Sequence, residues 1–311
     1  MQESYSITSK PNRKYKDSLF CMIFGGKDDR CARWRMDLYN ALSGTNHTDP
    51  NDFEVTTIEN VIYINTKNDV SFLVDSQMTL FEHQSTVNPN MPLRGLLYFS
   101  QLYQKFISKD DKDLFGELVE LPAPKYVVFY NGRTDLPEES KLYLSTAFKD
   151  FKDKGDFEWT ATIKNINLDY NKTLQKKCKP LYDYVRYVDR IKTNQDERNM
   201  SLVDAVDEAV DWAIKEDFLE GYFREAKAEV RAVCLTEFDQ ELYDRNRRRE
   251  GEKAGFEKGR IEGKDEKAKE AAKNLLKMNA LSVEQIAQAE GLSIDEVQKL
   301  ALEITAETQN V

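Results

Sequence analysis

The 311-residue chain carries only two histidines, His47 and His83, and four cysteines, Cys21, Cys31, Cys178 and Cys234. No two cysteines form a Cys-x-x-Cys pair, which argues against a structural zinc site and removes the commonest disulfide-exchange motif. Long apolar runs are missing too: none approaches the roughly 20 residues of a membrane span. The opening MQESYSITSKPNRKYKDS lacks the apolar core of a secretory signal, so the cytoplasm is the expected location, with no membrane partner. Positive charge is in deficit. With 45 Lys and Arg against 55 Asp and Glu, the net charge of −10 argues against nucleic-acid binding through a uniformly basic surface. A local basic groove remains compatible, and two clusters offer one: Arg30, Arg33 and Arg35, then Arg245, Arg247, Arg248 and Arg249.

What is present reads as an α/β chain with a helical end. Residues 1–14 are polar, contain Pro11 and read as a disordered arm. Apolar residues then recur at helical spacing (Leu19, Phe20, Ile23, Trp34, Leu38, Leu42), interrupted at Gly25 and Gly26, which predicts two helices. The stretch SGTNHTDPND is a loop by composition. VTTIENVIYINT, NDVSFLVD and MTLFEHQ are rich in β-branched and aromatic residues and predict strands. The run PLRGLLYFSQLYQKFI has one apolar stripe and predicts a helix, KYVVFYNG a buried strand closed by a turn. The order is that of a mixed sheet with helices packed on it. EWTATIKNINL offers one further strand, and helical periodicity dominates from Lys176 to Tyr243.

The tail changes character. Glycines fall at 251, 255, 259 and 263, a strict spacing of four that reads as a solvated charged helix or as a helix-packing face in a homo-oligomer. LSVEQIAQAEGLSIDEVQKLALE reads as a small helical hairpin: Ser282 caps one helix, Gly291 makes the turn and Ser293 caps the next. Its second helix presents Asp295 and Glu296 beside Gln298 and Lys299, a poor set for reading DNA bases.

Polar residues in NDVSFLVDSQMTLFEHQST, residues 68–86, pose the functional question. With Ser76 and Gln77 as a two-residue turn, Leu73 faces Leu80, Ser71 faces Glu82, and Asp69 faces Gln84. Asp69, Glu82 and Gln84 then share one face within about 5–8 Å, while His83 points to the other as a packing residue. Two carboxylates so close repel unless a proton or cation lies between them. A hard cation such as Mg²⁺ suits them, and the chemistry that follows is metal-assisted phosphodiester hydrolysis. The spacing by itself favours a polar, exposed hairpin end, with Asp69 as a turn-flanking residue.

The run ND-x(5)-D-x(6)-EHQST-x-NPNMPLR, the LLY helix and PKYVVFYNG together resemble the PD-(D/E)XK nuclease-family transposases, or recombination-promoting nucleases, of bacteria. The resemblance covers about residues 16 to 265. It implies a restriction-endonuclease-like mixed sheet with flanking helices in residues 15–150. A mainly helical region over 151–245, a charged glycine-repeat helix over 246–273 and a helical hairpin over 274–311 follow. It further implies a DNA endonuclease that uses Mg²⁺ or Mn²⁺, associated with recombination or mobile elements. Carried over, Asp69 and Glu82 are the metal ligands, and Gln84 takes the position of the motif lysine, whose positive charge an amide cannot supply. Asp17 in KDSLF is the candidate for a further acidic ligand, with Glu59 as the alternative. Arg94 is a candidate phosphate contact or, equally, a structural ion pair. Two rivals stand beside this reading: a catalytically silent protein that keeps the fold, and a self-associating protein whose tail is the functional part.

Overall fold

Short polar side chains set where the first helices begin. The computed structural model describes residues 18–56, 70–109, 113–149, 156–279 and 281–309. Ser18 accepts from the Cys21 N–H to open α1 (Leu19–Gly25), and Asp28 accepts from the Cys31 N–H to open α2 (Asp29–Ser43). Gly44, at φ 69°, closes α2 in the left-handed region that glycine enters without steric cost. The break falls at Gly26, where an added Cβ would lie 2.5 Å from the Cys31 sulfur.

The chain divides into two units, Met1–Leu242 and Tyr243–Val311. The first holds a six-stranded sheet of β1 (Glu54–Val55), β2 (Val70–Val74), β3 (Gln77–Gln84), β4 (Ala123–Tyr130), β5 (Glu139–Tyr143) and β6 (Thr160–Asn165), in the order β1-β2-β3-β4-β6-β5. Strands β3, β4 and β6 run parallel, and the outer pairings β1–β2, β2–β3 and β5–β6 are antiparallel. The expected mixed sheet with packed helices is therefore present. The segment 57–69, where a further strand is expected, lies outside the described residues. β5 carries no sequence signal because its ESKLY alternates exposed and half-buried residues at a charged edge.

Burial on both faces explains the composition of the central strands. On one face, Phe72, Phe81, Val127 and Phe129 pack with Phe20, Phe24 and Trp34 and with α5 (Lys179–Asp196) and α6 (Leu202–Lys215). This cluster extends to Phe238 in α8 (Lys227–Met278), joining the expected 15–150 and 151–245 segments in a single core. On the other face, Met78, Leu80, Tyr126, Val128 and Tyr130 pack against Tyr98, Phe99 and Leu102 of α3 (Met91–Lys109). Among the described residues no helix is long and apolar enough to cross a membrane.

In the second unit, α9 (Val283–Glu290) and α10 (Ile294–Gln309) form the expected hairpin. Ser282 and Gln285 make a reciprocal capping box, and Gly291 turns the chain at φ 70°. Ile286, Ala287, Val297 and Leu300 bury themselves with Ala272 at the end of α8, so the hairpin packs on that helix. The glycine repeat lies inside α8. A Cβ added at Gly255, Gly259 or Gly263 would meet nothing within 4 Å among the described residues.

Candidate functional site

An acidic residue interrupts the most buried strand of the sheet. β3 lies between β2 and β4, and Met78, Thr79, Leu80, Phe81 and Glu82 all have 0–1 % of their surface exposed. A carboxylate is rarely buried so fully without a partner, because desolvation of its charge costs several kcal/mol (on the order of) unless it is compensated. The partner is Arg94, whose Nη2 lies 2.9 Å from Glu82 Oε2. The same nitrogen donates to the Tyr98 hydroxyl at 3.2 Å, and Nη1 approaches the Met91 sulfur at 3.6 Å. Burial alone would lower the basicity of Arg94, but attraction to Glu82 and Tyr98 outweighs it and the guanidinium is held above its ordinary value.

Arg94 reaches this position because of how the chain enters α3. Asn88 accepts from the Asn90 N–H at 3.0 Å, turning the Asn-Pro-Asn stretch, and Arg94 falls in the first helical turn. A cation there opposes the helix dipole, so the Glu82 carboxylate offsets a placement the helix itself disfavours. Gly95 lets α3 lie close on the sheet: a Cβ there would come 2.4 Å from the Tyr126 ring and 2.8 Å from the Trp159 indole nitrogen. Gly95→Ala is expected to push α3 outward, lengthen the Glu82–Arg94 contact and destabilise the protein by about 1–3 kcal/mol. Urea unfolding checks this, and a variant as stable as the parent would show that Tyr126 yields without cost.

The register of the hairpin differs from the sequence expectation. Asp75 and Ser76 form the turn, with Asp75 at φ 51°, and Val74 pairs with Gln77, Leu73 with Met78 and Ser71 with Leu80. Ser71 therefore does not face Glu82, and Leu73 does not face Leu80. The reason is local: aspartate tolerates the left-handed conformation, which leaves Gln77 free to start β3. The partner shift is two residues, so the side chains keep their faces. Val70, the residue after Asp69, pairs with Phe81, the residue before Glu82. Asp69 itself lies outside the described residues, as do Asp17 and Glu59. Gln84 ends β3 opposite Tyr130, half-buried, and its carbonyl accepts from the Asn131 N–H at 3.2 Å. Among the described residues no three His, Cys, Asp or Glu side chains are grouped to hold a metal.

His83 projects from β3 into the opposite face, as expected. Its Nε2 lies 2.9 Å from the Tyr184 hydroxyl, its Nδ1 3.5 Å from Glu237 Oε1, and its ring stacks on Phe20 at 5.6 Å. Asn131 donates to Tyr184 at 2.9 Å, and Lys192 donates to the Asn131 carbonyl. This buried polar chain fastens the carboxyl end of β3 to β4, α5 and α8. Sequence reading does not find it, since Tyr184, Lys192 and Glu237 sit in helices with no local signal for a shared contact. Gly132, after Asn131, has a clear reason: a Cβ there would lie 2.0 Å from the Ser85 carbonyl oxygen.

The first arginine cluster is not an open basic groove. Arg35 is buried and donates to the carbonyls of Phe24 and Gly26, while Arg30 pairs with Glu225 at 2.7 Å and Arg33 with Glu220 at 3.0 Å. Each arginine is engaged by the fold. Beside the carboxyl ends of β4 and β6, a cleft of about 350 Å³ sets Arg133 and Lys192 among Asp135, Asp189, Asp196 and Glu197, an acidic excess. The chain matches no protein-family model, no curated protein and no solved structure.

Proposed function

We propose that the protein is a DNA endonuclease that uses Mg²⁺ or Mn²⁺, acts in the cytoplasm and serves recombination or mobile elements. In this reading β2, β3 and α3 are the core of a restriction-endonuclease-like fold. The observation that carries it is the fully buried Glu82, which follows the buried Leu80 and Phe81 towards the carboxyl end of β3. Packing would favour an aliphatic residue there, so the carboxylate calls for a reason beyond stability. Its oxygens are hard donors of the kind Mg²⁺ takes, and one or two carboxylates with waters suffice for that ion. Glu82 fits as one ligand, and Asp69, adjacent in sequence to the partner of Phe81, is assigned as the other. When bound, the metal supplies an acidified water and offsets charge on the phosphate. Gln84, on the Glu82 face, orients water or phosphate through its amide. The bond cleaved is the phosphodiester, leaving a 5′-phosphate and a 3′-hydroxyl.

A second reading has its own support. Glu82 is already neutralised by Arg94, and Gln84 brings no charge, as in a fold kept for binding or self-association after loss of chemistry. Nicking of supercoiled plasmid separates the two. With Mg²⁺ present the parent protein is expected to nick, and EDTA, Asp69→Ala and Glu82→Ala are each expected to lower the rate by about 100-fold or more. Activity that survives either substitution would place the site elsewhere. No nicking, with no heat of Mg²⁺ binding, would establish the silent fold.

A further inference from the structure

One corner of the sheet is open. On β6 the buried residues Ala161, Ile163 and Asn165 alternate with Thr160, Thr162 and Lys164, which are exposed or half-buried. With Lys125 and Val127 of β4 and Leu42 of α2, these three border a groove of about 520 Å³, a size that suits a small ligand. The groove lies towards the amino end of β4, on the sheet face that carries Val127 and Phe129. Glu82 faces the other side, where it meets Arg94 of α3. The two places are therefore separate.

Lys125 is the group that points to a ligand. Its ammonium is half-buried, donates to the Ser43 hydroxyl at 2.6 Å and lies 5.3 Å from the centroid of the Tyr39 ring. Among the described residues both of these partners are neutral, whereas Arg30, Arg33, Arg133 and Lys164 each meet a carboxylate. Burial, and then repulsion from Lys164, hold the Lys125 ammonium below its ordinary basicity. Two cations that close are relieved when an anion lies between them. An ammonium has three donors, and Ser43 takes one of them. The one carboxylate at the rim, Glu158, is engaged by the Ser145 hydroxyl and N–H and by the Trp159 N–H.

We propose that this groove binds the phosphate group of a small phosphorylated molecule, with Lys125 and Lys164 supplying the charge and Thr160 and Thr162 the hydroxyl donors. Lysines serve phosphate as compact point charges, and neutral hydroxyls complete its hydrogen bonding. A free phosphate ester fits better than a polynucleotide, because the net charge of −10 repels a polyanion that continues past the groove. This site is independent of the nuclease reading.

Pyrophosphate is the probe. In calorimetry at low salt it is expected to bind the full-length protein saturably, with a Kd below about 1 mM. Lys125→Met is expected to weaken that binding by about 10-fold or more, since a hydrogen bond from a charged donor is lost. In the parent, NMR titration of the lysine side chains, with Lys125→Arg assigning the signal, is expected to show Lys125 becoming more basic when pyrophosphate saturates the protein. A lysine that merely supports α2 would show no such change. Should Lys125→Met not fold, this titration decides. Overturning results are no saturable binding up to about 10 mM pyrophosphate, parental affinity in a folded Lys125→Met protein, or a Lys125 titration that pyrophosphate leaves unmoved. A single-stranded oligonucleotide is expected to bind more weakly than pyrophosphate. Tighter binding of the oligonucleotide, lost in Lys125→Met, would assign the phosphate to a nucleic-acid backbone and overturn the small-molecule assignment.

Discussion

Glu82→Ala is expected to lower the stability of the first unit by about 3–5 kcal/mol, apart from any effect on cleavage. Truncation leaves the Arg94 guanidinium largely buried, held by Tyr98 and without its carboxylate, and an uncompensated charge at such depth is costly. The Glu82→Met, Arg94→Met double variant is expected to regain most of that loss, because buried ion pairs are often replaceable by apolar groups of similar volume. Urea unfolding of the parent, both single variants and the double variant gives the coupling between the two residues. A cost below about 1 kcal/mol for Glu82→Ala would put the pair in the range of solvent-exposed bridges and remove the premise of a high-energy buried carboxylate. Should the double variant prove more stable than the parent yet inactive, the pair was retained for chemistry at the expense of stability.

Glu237→Gln is expected to change how stability depends on pH. Burial pushes the Glu237 carboxyl up to about 7 from an ordinary 4.5, against the opposing effects of the Leu19 N–H bond at 3.3 Å and the attraction of Lys192. His83 from β3 lies 3.5 Å away, and Tyr187 and Cys234 are the other titratable neighbours. A carboxyl whose folded value is raised binds its proton more tightly in the native state than in the unfolded one. Its contribution is therefore complete below about pH 4.5 and is lost as pH rises towards and through 7. The parent should lose about 2 kcal/mol relative to Glu237→Gln between pH 4.5 and 8, a figure kept below the full shift because the side chain retains 19 % exposure. Urea midpoints at the two pH values measure the gap. A gap that moves the other way, favouring the parent at high pH, would mean that Glu237 is ionised and stabilised there by a charged partner.

Much of the local structure was legible because it depends on neighbours in sequence. Ser282 and Ser293 announce helix starts through bonds that reach three residues along the chain, and Gly291 marks an end that needs a left-handed residue. The alternation in β2 and β3 assigned each side chain to its face, His83 included, and that assignment survived the shift in register because the shift is even. The turn itself was misread: Asp75, at φ 51°, takes the left-handed position beside Ser76 and moves the turn back by one.

What surrounds the site was not legible. The arginine cluster at 30–35 suggested a surface for phosphate, but glutamates about 190 residues away, Glu225 and Glu220, engage two of its members and the core takes the third. Glu82 was singled out by its sequence setting, yet nothing local distinguishes a metal ligand from half of an ion pair. By itself the sequence determined the C-terminal hairpin, the faces of β2 and β3 and the presence of an acidic residue where an aliphatic one would pack, whereas the expected boundaries at 245 and 273 fall inside the single helix α8 (Lys227–Met278). Only the tertiary structure decided that Arg94 is its partner and that His83 is tied to Tyr184 and Glu237. Caps and alternation are set within a few residues, whereas the environment of a buried charge is set by whichever elements the packing of both sheet faces brings against it.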